Sequence, residues 1–246
     1  MTHSQALFFE QNGYLVVPDV LSSDLLSLLN NVIDQDRTLS KLWQNRGNGR
    51  HQNPNLLMTT DAFDQTITHP SVLPIVVALM GPNLCFEEFS LMVRDPLDLN
   101  PPDPGWHRDT AHLQDHPYAL RNLSLIYYLT DVDESTHCFS VVPEGLVDKR
   151  NDPTDREGTD AVDLHGIAGT AILFNAGSVH DARQRTTTRE RRTIHIYYGH
   201  RDQPALSNHT LFPKRLAKGA HASLFVRPND VSLRVHEVYE QESARA

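Results

Sequence analysis

Apolar and polar positions along the chain change their period once, near residue 84. Before that point the pattern is mostly helical. Thr2-His3-Ser4-Gln5 reads as a capping box ahead of Ala6-Leu7-Phe8-Phe9, and Asn12-Gly13 reads as the stop. Tyr14–Val17 is a short apolar run closed by Pro18 and predicts a strand. Ser22-Ser23-Asp24 can cap a second helix, whose Leu25, Leu28, Leu29, Val32 and Ile33 recur as one buried face. A third helix is predicted from Ser71 to Met80, ended by Gly81-Pro82. Between the second and third helices, Asn45–Asn55 is polar and Gly-rich, which predicts either a solvated connection or a substrate lid.

From Leu84 onward the apolar runs are short, rich in β-branched and aromatic residues, and separated by turn clusters. Strands are predicted at Leu84–Arg94, Leu123–Thr130, Phe139–Val142, Thr170–Phe174, Val179–Ala182 and Thr193–Gly199. Helices first and strands later imply segregated layers rather than alternating βαβ units. The expected fold is therefore mainly β with flanking α-helices, a double-stranded β-helix or jelly roll of the cupin-like kind. One domain spans 1–246, with a helical third to about 82, a jelly-roll core over about 84–200 and a C-terminal extension over 201–246. The charged stretch Asp148–Asp160 is expected to be a surface insertion. There is no internal repeat, low-complexity tract or second-domain linker.

Composition narrows the class. The chain has 246 residues, 39% hydrophobic and 22% charged, enough apolar material to form a core without disulfides. No window reaches the roughly 18 apolar residues of a membrane span, and MTHSQALFFEQNGY lacks the features of a signal peptide. Cys85 and Cys138 are expected to be half-buried free thiols, so a cytoplasmic location is expected. A formal charge of −9 argues against nucleic acid as a partner. Oligomeric state is not legible.

Histidine is the unusual component, with 14 copies. In Trp106-His107-Arg108-Asp109 an extended backbone turns His107 and Asp109 to one face, where an imidazole and a carboxylate can share a metal ion. By itself the motif is weak, because roughly one His-x-Asp is expected by chance. A second copy, His200-Arg201-Asp202, follows the last patterned strand with no further ligand after it and is expected at the surface. The Gly-rich loop, strand lysine and Asp-Phe-Gly that would make His-Arg-Asp a kinase signature are missing. His180 opens a strand after the tight turn Asn175-Ala176-Gly177. Strand ends distant in sequence meet at the mouth of a jelly roll. Two ligands from one strand and His180 from another would form a two-histidine, one-carboxylate face, which suits non-haem Fe(II) and dioxygen. Such iron needs an electron-supplying co-substrate. If that is a keto acid with a far carboxylate, an arginine fork is its natural partner. Arg189-Glu190-Arg191-Arg192 enters a strand on which Arg191, Thr193, His195 and Tyr197 share one side, and Arg192, Ile194, Ile196 and Tyr198 the other.

His-Arg-Asp, then Val-x-His, then an arginine eleven residues on resembles the phytanoyl-CoA dioxygenase family of Fe(II)/2-oxoglutarate enzymes. Phe9–Val17 with Pro18 resembles that family's N-terminal signature, and Leu129–Pro143 its strand, acidic turn and closing strand. The resemblance runs from about Leu7 to Gly199. It implies a metal triad of His107, Asp109 and His180, with 2-oxoglutarate held by Arg191 and assisted by Thr193. It also implies O2 as oxidant, succinate and CO2 as by-products, and hydroxylation of a small-molecule C–H bond. Thr136-His137 departs from the Asn-Gly frequent at the family's acidic turn, which makes His137 a residue to locate. Asp109 is present where related halogenases lose the carboxylate, which disfavours halogenation. His112 and His116 are candidates for the cleft mouth, and His112 for a substitute ligand. Arg46, Arg50 and His51 could meet an anionic substrate, while Trp106 is expected to pack. The rival readings are a JmjC-type protein hydroxylase or demethylase, a non-catalytic cupin-like binder and a zinc hydrolase. The last lacks a general-base glutamate beside the ligands.

Overall fold

The computed structural model describes residues 1–146, 160–207, 210–211 and 213–225. Two antiparallel sheets face one another, and helices cover the outer face of the larger. The helices are α1 (His3–Asn12), α2 (Ser23–Leu39), α3 (Asp64–Ile67) and α4 (Leu73–Met80). The strands are β1 (Tyr14–Val17), β2 (Gln44–Asn45), β3 (Arg50–Asn53), β4 (Leu84–Arg94), β5 (Leu123–Tyr128), β6 (Cys138–Val141), β7 (Val162–Leu164), β8 (Ala171–Asn175), β9 (His180–Arg183) and β10 (Arg191–His200). The large sheet runs β1-β8-β5-β10-β4-β3-β2 and the small one β7-β6-β9. His107 bridges to His180 at the free edge of β9, bringing the segment that carries His107 and Asp109 into the small sheet. This is the jelly roll expected from the strand pattern.

Local chemistry sets the helix ends. Thr2 and Gln5 form the reciprocal capping box, and Gly13 ends α1 in the left-handed conformation at φ 76°. The Ser22 hydroxyl accepts from the Leu25 N–H at the start of α2. The buried face of α2 is narrower than its leucine spacing predicts. Leu29 and Ile33 are fully buried, but Leu28 is 48% exposed because it faces away from the sheet.

The central strands are buried on both sides, and their alternation sorts two environments. In β10, Ile194, Ile196 and Tyr198 pack outward under the helices with Phe9, Leu29, Val76 and Leu79. Between the sheets a smaller core gathers Ile126, Tyr128, Cys138, Phe139, Ile172 and Phe174. Arg191, Thr193, His195 and Tyr197 lie on the inner side of β10, as their parity predicts. Both cysteines are free and fully buried rather than half-buried, because each sits on a sheeted strand covered on both faces.

The polar segment Asn45–Asn55 is not a loose connection. β2 and β3 form a hairpin that extends the edge of β4, with Arg50 opposite Arg94 and Gln52 opposite Met92. Gly47, Asn48 and Gly49 make its turn with φ of 81°, 49° and 68°. The segment lacks apolar alternation because its inward side chains line a polar cleft instead of a core. β7 has no sequence signal, being three residues long. The predicted insertion Asp148–Asp160 lies outside the described residues except for Asp160. The part of the C-terminal extension after Phe225 lies outside them as well.

Candidate metal centre

The chain brings His107 and Asp109 beside His180 through backbone pairing. His107 and His180 exchange N–H···O bonds of 3.1 and 2.9 Å, and the Asp109 N–H donates to the Ala176 carbonyl at 3.0 Å. The extended 107–109 run therefore turns both side chains toward the strand that carries His180. One ligand atom from each of the three residues falls within 4.8 Å of the other two. His107 Nε2 is 3.5 Å from Asp109 Oδ1, and His180 Nε2 is 3.3 Å from Asp109 Oδ2. Each imidazole is oriented by a carbonyl. Nδ1 of His107 lies 2.8 Å from the Gly105 oxygen, and Nδ1 of His180 lies 2.8 Å from that of Ser178. Nδ1–H donates there, which leaves both Nε2 lone pairs facing the carboxylate, the tautomer a metal ligand needs.

Burial alone would raise the Asp109 pKa. The neighbouring imidazoles of His107 and His180, with a hydrogen bond from Tyr197, outweigh it and hold the carboxyl well below the usual range. The Tyr197 hydroxyl donates to Asp109 Oδ2 at 2.7 Å. Tyr197 falls on the predicted inner side of β10, but nothing in the sequence pairs it with Asp109, 88 residues away. Phe139 and Phe174 lie against the His180 ring at centroid distances of 5.6 and 4.7 Å and close the inner side. His107 is half exposed, so the centre opens past it.

Arg108 points away from its neighbours, as alternation requires. Its guanidinium makes two 2.8 Å bonds to Glu144 and a short one to the Gly177 carbonyl. His112 Nε2 completes this knot, 3.4 Å from Glu144 Oε2. Burial would raise the Glu144 pKa, but His112 and Arg108 outweigh it and bring it to about 2. His112 is thus committed to a structural knot rather than the cleft. A Cβ on Gly177 would fall 2.5 Å from its Nδ1. His116 is also elsewhere, its ring tilted against that of His200 at a centroid distance of 5.1 Å, with its Nδ1 accepting from the Tyr118 and Leu120 N–H groups.

A cleft of about 220 Å³ runs from the centre along the inner face of β10 and β4 to β3. Arg191 is 6% exposed, and its Nε and Nη1 are buried with no hydrogen-bond partner. Arg192 points the other way and pairs with Asp34 and Glu190, each at 2.6 Å. Arg189 is engaged with Asp133 at the surface. Thr193 lines the cleft, its hydroxyl 3.0 Å from His195 Nε2. Burial, with Arg191 close by, pushes the His195 pKa down to about 3 and keeps the ring neutral. Glu88, opposite Tyr197 in the sheet, is raised to about 7 by burial and by Glu87 and Asp109. Arg94 and Asp181 complete the ionisable lining, and neither carries a sequence signal.

The remaining candidates divide. Arg50 lines the cleft. Arg46 is exposed, and His51 is bound to Asp95 at 2.8 Å. His137 is buried, with Nε2 donating to the Asp95 carbonyl and Nδ1 accepting from the Arg185 N–H, which makes it a joint between loops. Trp106 is half-buried, with the Arg183 guanidinium 5.8 Å from its ring centroid. The second tripeptide corrects the surface expectation. His200 is 6% exposed, its Nε2 bonded to the Leu120 carbonyl at 3.0 Å. It is buried because β10 continues to His200 between paired strands. A second grouping of ligand-type atoms, Cys138, Asp163 and His165, also falls within 4.8 Å. There the Asp163 carboxylate is already neutralised by Arg183 at 3.0 Å and by Arg185, and burial pushes the Cys138 thiol up, so that grouping is an ion-pair cluster.

A jelly roll presenting two histidines and one carboxylate on adjoining strand segments defines the class of non-haem iron oxygenase scaffolds. The family model for phytanoyl-CoA dioxygenase matches residues 9–193, and the chain belongs to that family. Membership makes it an Fe(II)- and 2-oxoglutarate-dependent oxygenase. No curated protein matches significantly. Among solved structures, HygX from Streptomyces hygroscopicus with nickel, 2-oxoglutarate and hygromycin B bound is similar at 19% identity and a TM-score of 0.65. That likeness covers 81% of this chain and 87% of HygX. SnoK, a non-haem α-ketoglutarate-dependent carbocyclase from nogalamycin biosynthesis, is 21% identical at a TM-score of 0.66, covering 82% of this chain and 85% of its own. The epimerase SnoN of the same biosynthesis is 18% identical at a TM-score of 0.64, covering 80% and 82%. At these identities the likenesses establish the fold.

Proposed function

We propose that the protein hydroxylates a C–H bond of a small-molecule metabolite, with His107, Asp109 and His180 as iron ligands and Arg191 as the anchor of 2-oxoglutarate. One observation carries this reading. The only grouping of three ligand-type side chains among the described residues without a competing cation opens onto the cleft in which Arg191 has two unpartnered guanidinium nitrogens. An arginine buried without an anion is costly, and a carboxylate at that position supplies the missing acceptors.

Iron and 2-oxoglutarate, when bound, would supply the electrons that activate dioxygen, the oxidant, with 2-oxoglutarate leaving as succinate and CO2. The chain contributes position and exclusion. The Gly105 and Ser178 carbonyls fix the two imidazoles. Tyr197 holds one Asp109 oxygen and leaves the other facing His107. Thr193 and the neutral His195 offer polar contacts next to Arg191 without a further charge. Phe139, Phe174 and Ile126 keep the inner wall dry. The carboxylate of Asp109 occupies the place a halide would need, which favours hydroxylation over halogenation. The cleft volume suits a small molecule, and HygX with hygromycin B bound offers a precedent on this fold.

We read residues 1–246 as one oxygenase domain. Cytoplasmic placement belongs to the same proposal, supported by two buried free thiols. No described helix is long and apolar enough to cross a membrane.

Anaerobic addition of Fe(II) and 2-oxoglutarate tests the site. A visible charge-transfer band is expected, and its absence would favour a non-catalytic binder. A metabolite panel scored by succinate release tests the substrate class. Turnover stimulated by peptides and by no metabolite would favour the protein-hydroxylase reading.

A further inference from the structure

The cleft holds more positive charge than one co-substrate uses. Arg50, Arg94 and Arg191 stand directly opposite one another across β3, β4 and β10. Like charges facing each other on neighbouring strands repel, and Arg94 and Arg191 are 7% and 6% exposed. Nε of Arg50, Nε of Arg94, and Nε and Nη1 of Arg191 are all buried without a partner. Among the described residues none of the three is ion-paired, and Asp181 is the one carboxylate whose field reaches all of them. Glu88 lies six residues along β4 from Arg94, roughly 20 Å at strand rise, and does not neutralise the row.

The charges can be counted. Three guanidiniums face Asp181 and, on the reading above, the far carboxylate of 2-oxoglutarate at Arg191, which leaves one positive charge. That surplus sits at the rim. Arg191 and Arg94 form the buried end, while Arg50 is half-buried on the edge hairpin, with exposed Arg46 adding positive field outside it. Arg50 is held in place, its Nη2 donating to Gln52 at 3.0 Å, and Arg94 is held by the Asn48 carbonyl at 3.0 Å. A fork held in this way is already shaped for an oxyanion.

We propose that Arg50, with Arg94 behind it, binds an anionic group of the substrate, a carboxylate or a phosphate, so that the enzyme acts on acidic small molecules. This rests on the Fe(II)/2-oxoglutarate reading of the same cleft. The test uses wild type, Arg50→Gln and the charge-retaining Arg50→Lys, each loaded anaerobically with Fe(II) and 2-oxoglutarate. They are titrated with matched probes on aromatic and alicyclic skeletons, acids beside their primary amides and phosphate monoesters beside their alcohols. Perturbation of the charge-transfer band and the shift in Tm report binding, and the acid and phosphate arms separate the two chemistries. At least one anion is expected to bind about tenfold or more tightly than its neutral twin. Arg50→Gln should abolish that preference and Arg50→Lys keep part of it. Equal binding of twins, no binding by any probe, or a preference that survives in Arg50→Gln overturns the proposal. So does a loss of about tenfold in 2-oxoglutarate affinity in Arg50→Gln, which would assign Arg50 to the co-substrate. A wild type that gives no 2-oxoglutarate band removes the underlying reading instead, and this inference with it.

Discussion

The chain contains His-Arg-Asp twice, and the two copies have opposite fates. At 107–109 the tripeptide lies along the free edge of the small sheet, paired to His180, with alternate side chains on two sides. Its histidine and aspartate face His180, while its arginine is locked to buried Glu144. At 200–202 the same letters end a central strand and enter a turn. There the histidine bonds the Leu120 carbonyl, the arginine bonds the Ser223 carbonyl, and the aspartate is exposed. The tripeptide supplies the donor atoms. Whether they converge depends on what the neighbouring strand presents.

The largest contrast is in metal binding. His180→Ala or His107→Ala is expected to abolish Fe(II) binding in an anaerobic titration with the fold intact. His200→Ala should keep the metal and cost roughly 1–3 kcal/mol of stability through a lost buried hydrogen bond and a small cavity, read by denaturant unfolding. Metal loss in His200→Ala would break the comparison.

The arginines inside the two tripeptides come next. Arg108→Gln leaves Glu144 buried without its bidentate partner and should destabilise by about 3–5 kcal/mol. Arg201→Gln, at an exposed bond, should stay within about 0.5 kcal/mol. The same knot gives a pH signature. Glu144 has its pKa depressed to about 2 from an ordinary 4.5, so its contribution is fully present above pH 4.5 and is lost as pH falls toward 2. Glu144→Gln should flatten that limb of the acid-unfolding curve, a change of order 3 kcal/mol.

Adjacent Arg191 and Arg192 repeat the lesson on opposite faces of one strand. Arg191→Gln is expected to weaken 2-oxoglutarate by roughly a hundredfold in the charge-transfer titration, about 2.7 kcal/mol. Arg192→Gln should change that affinity by less than about twofold while loosening α2. Equal effects would place the wrong arginine in the cleft. The smallest change is Tyr197→Phe, which keeps the ring and removes the bond to Asp109. A loss of about tenfold in metal affinity is expected from this indirect support.

Much of the scaffold was legible before any coordinates. Capping at Thr2 and Ser22, the stop at Gly13 and the apolar, β-branched and aromatic runs of β4, β5, β8 and β10 are local signals. Strand ends fell within one or two residues of the pattern, because alternation marks which side is buried but not where hydrogen bonding stops. The edge hairpin was illegible for a physical reason. Arg50 and Gln52 face a polar cleft, so β3 carries no apolar alternation. His200 was misplaced because the end of a strand near a motif resembles a solvated turn. Arg94 and Asp181 carried no signal and Tyr197 only its parity, since each acquires its role from a partner on another strand.

The sequence by itself determined the elements, the parity of β10 and therefore which arginine could face inward, because those depend on contacts within a few residues. Tertiary structure alone decided that His107 meets His180 while His200 does not. It also lined up three guanidiniums in one row and buried Glu144 beneath Arg108. Each of these depends on strand register, and register joins residues far apart in the chain through backbone hydrogen bonds that are alike at every position.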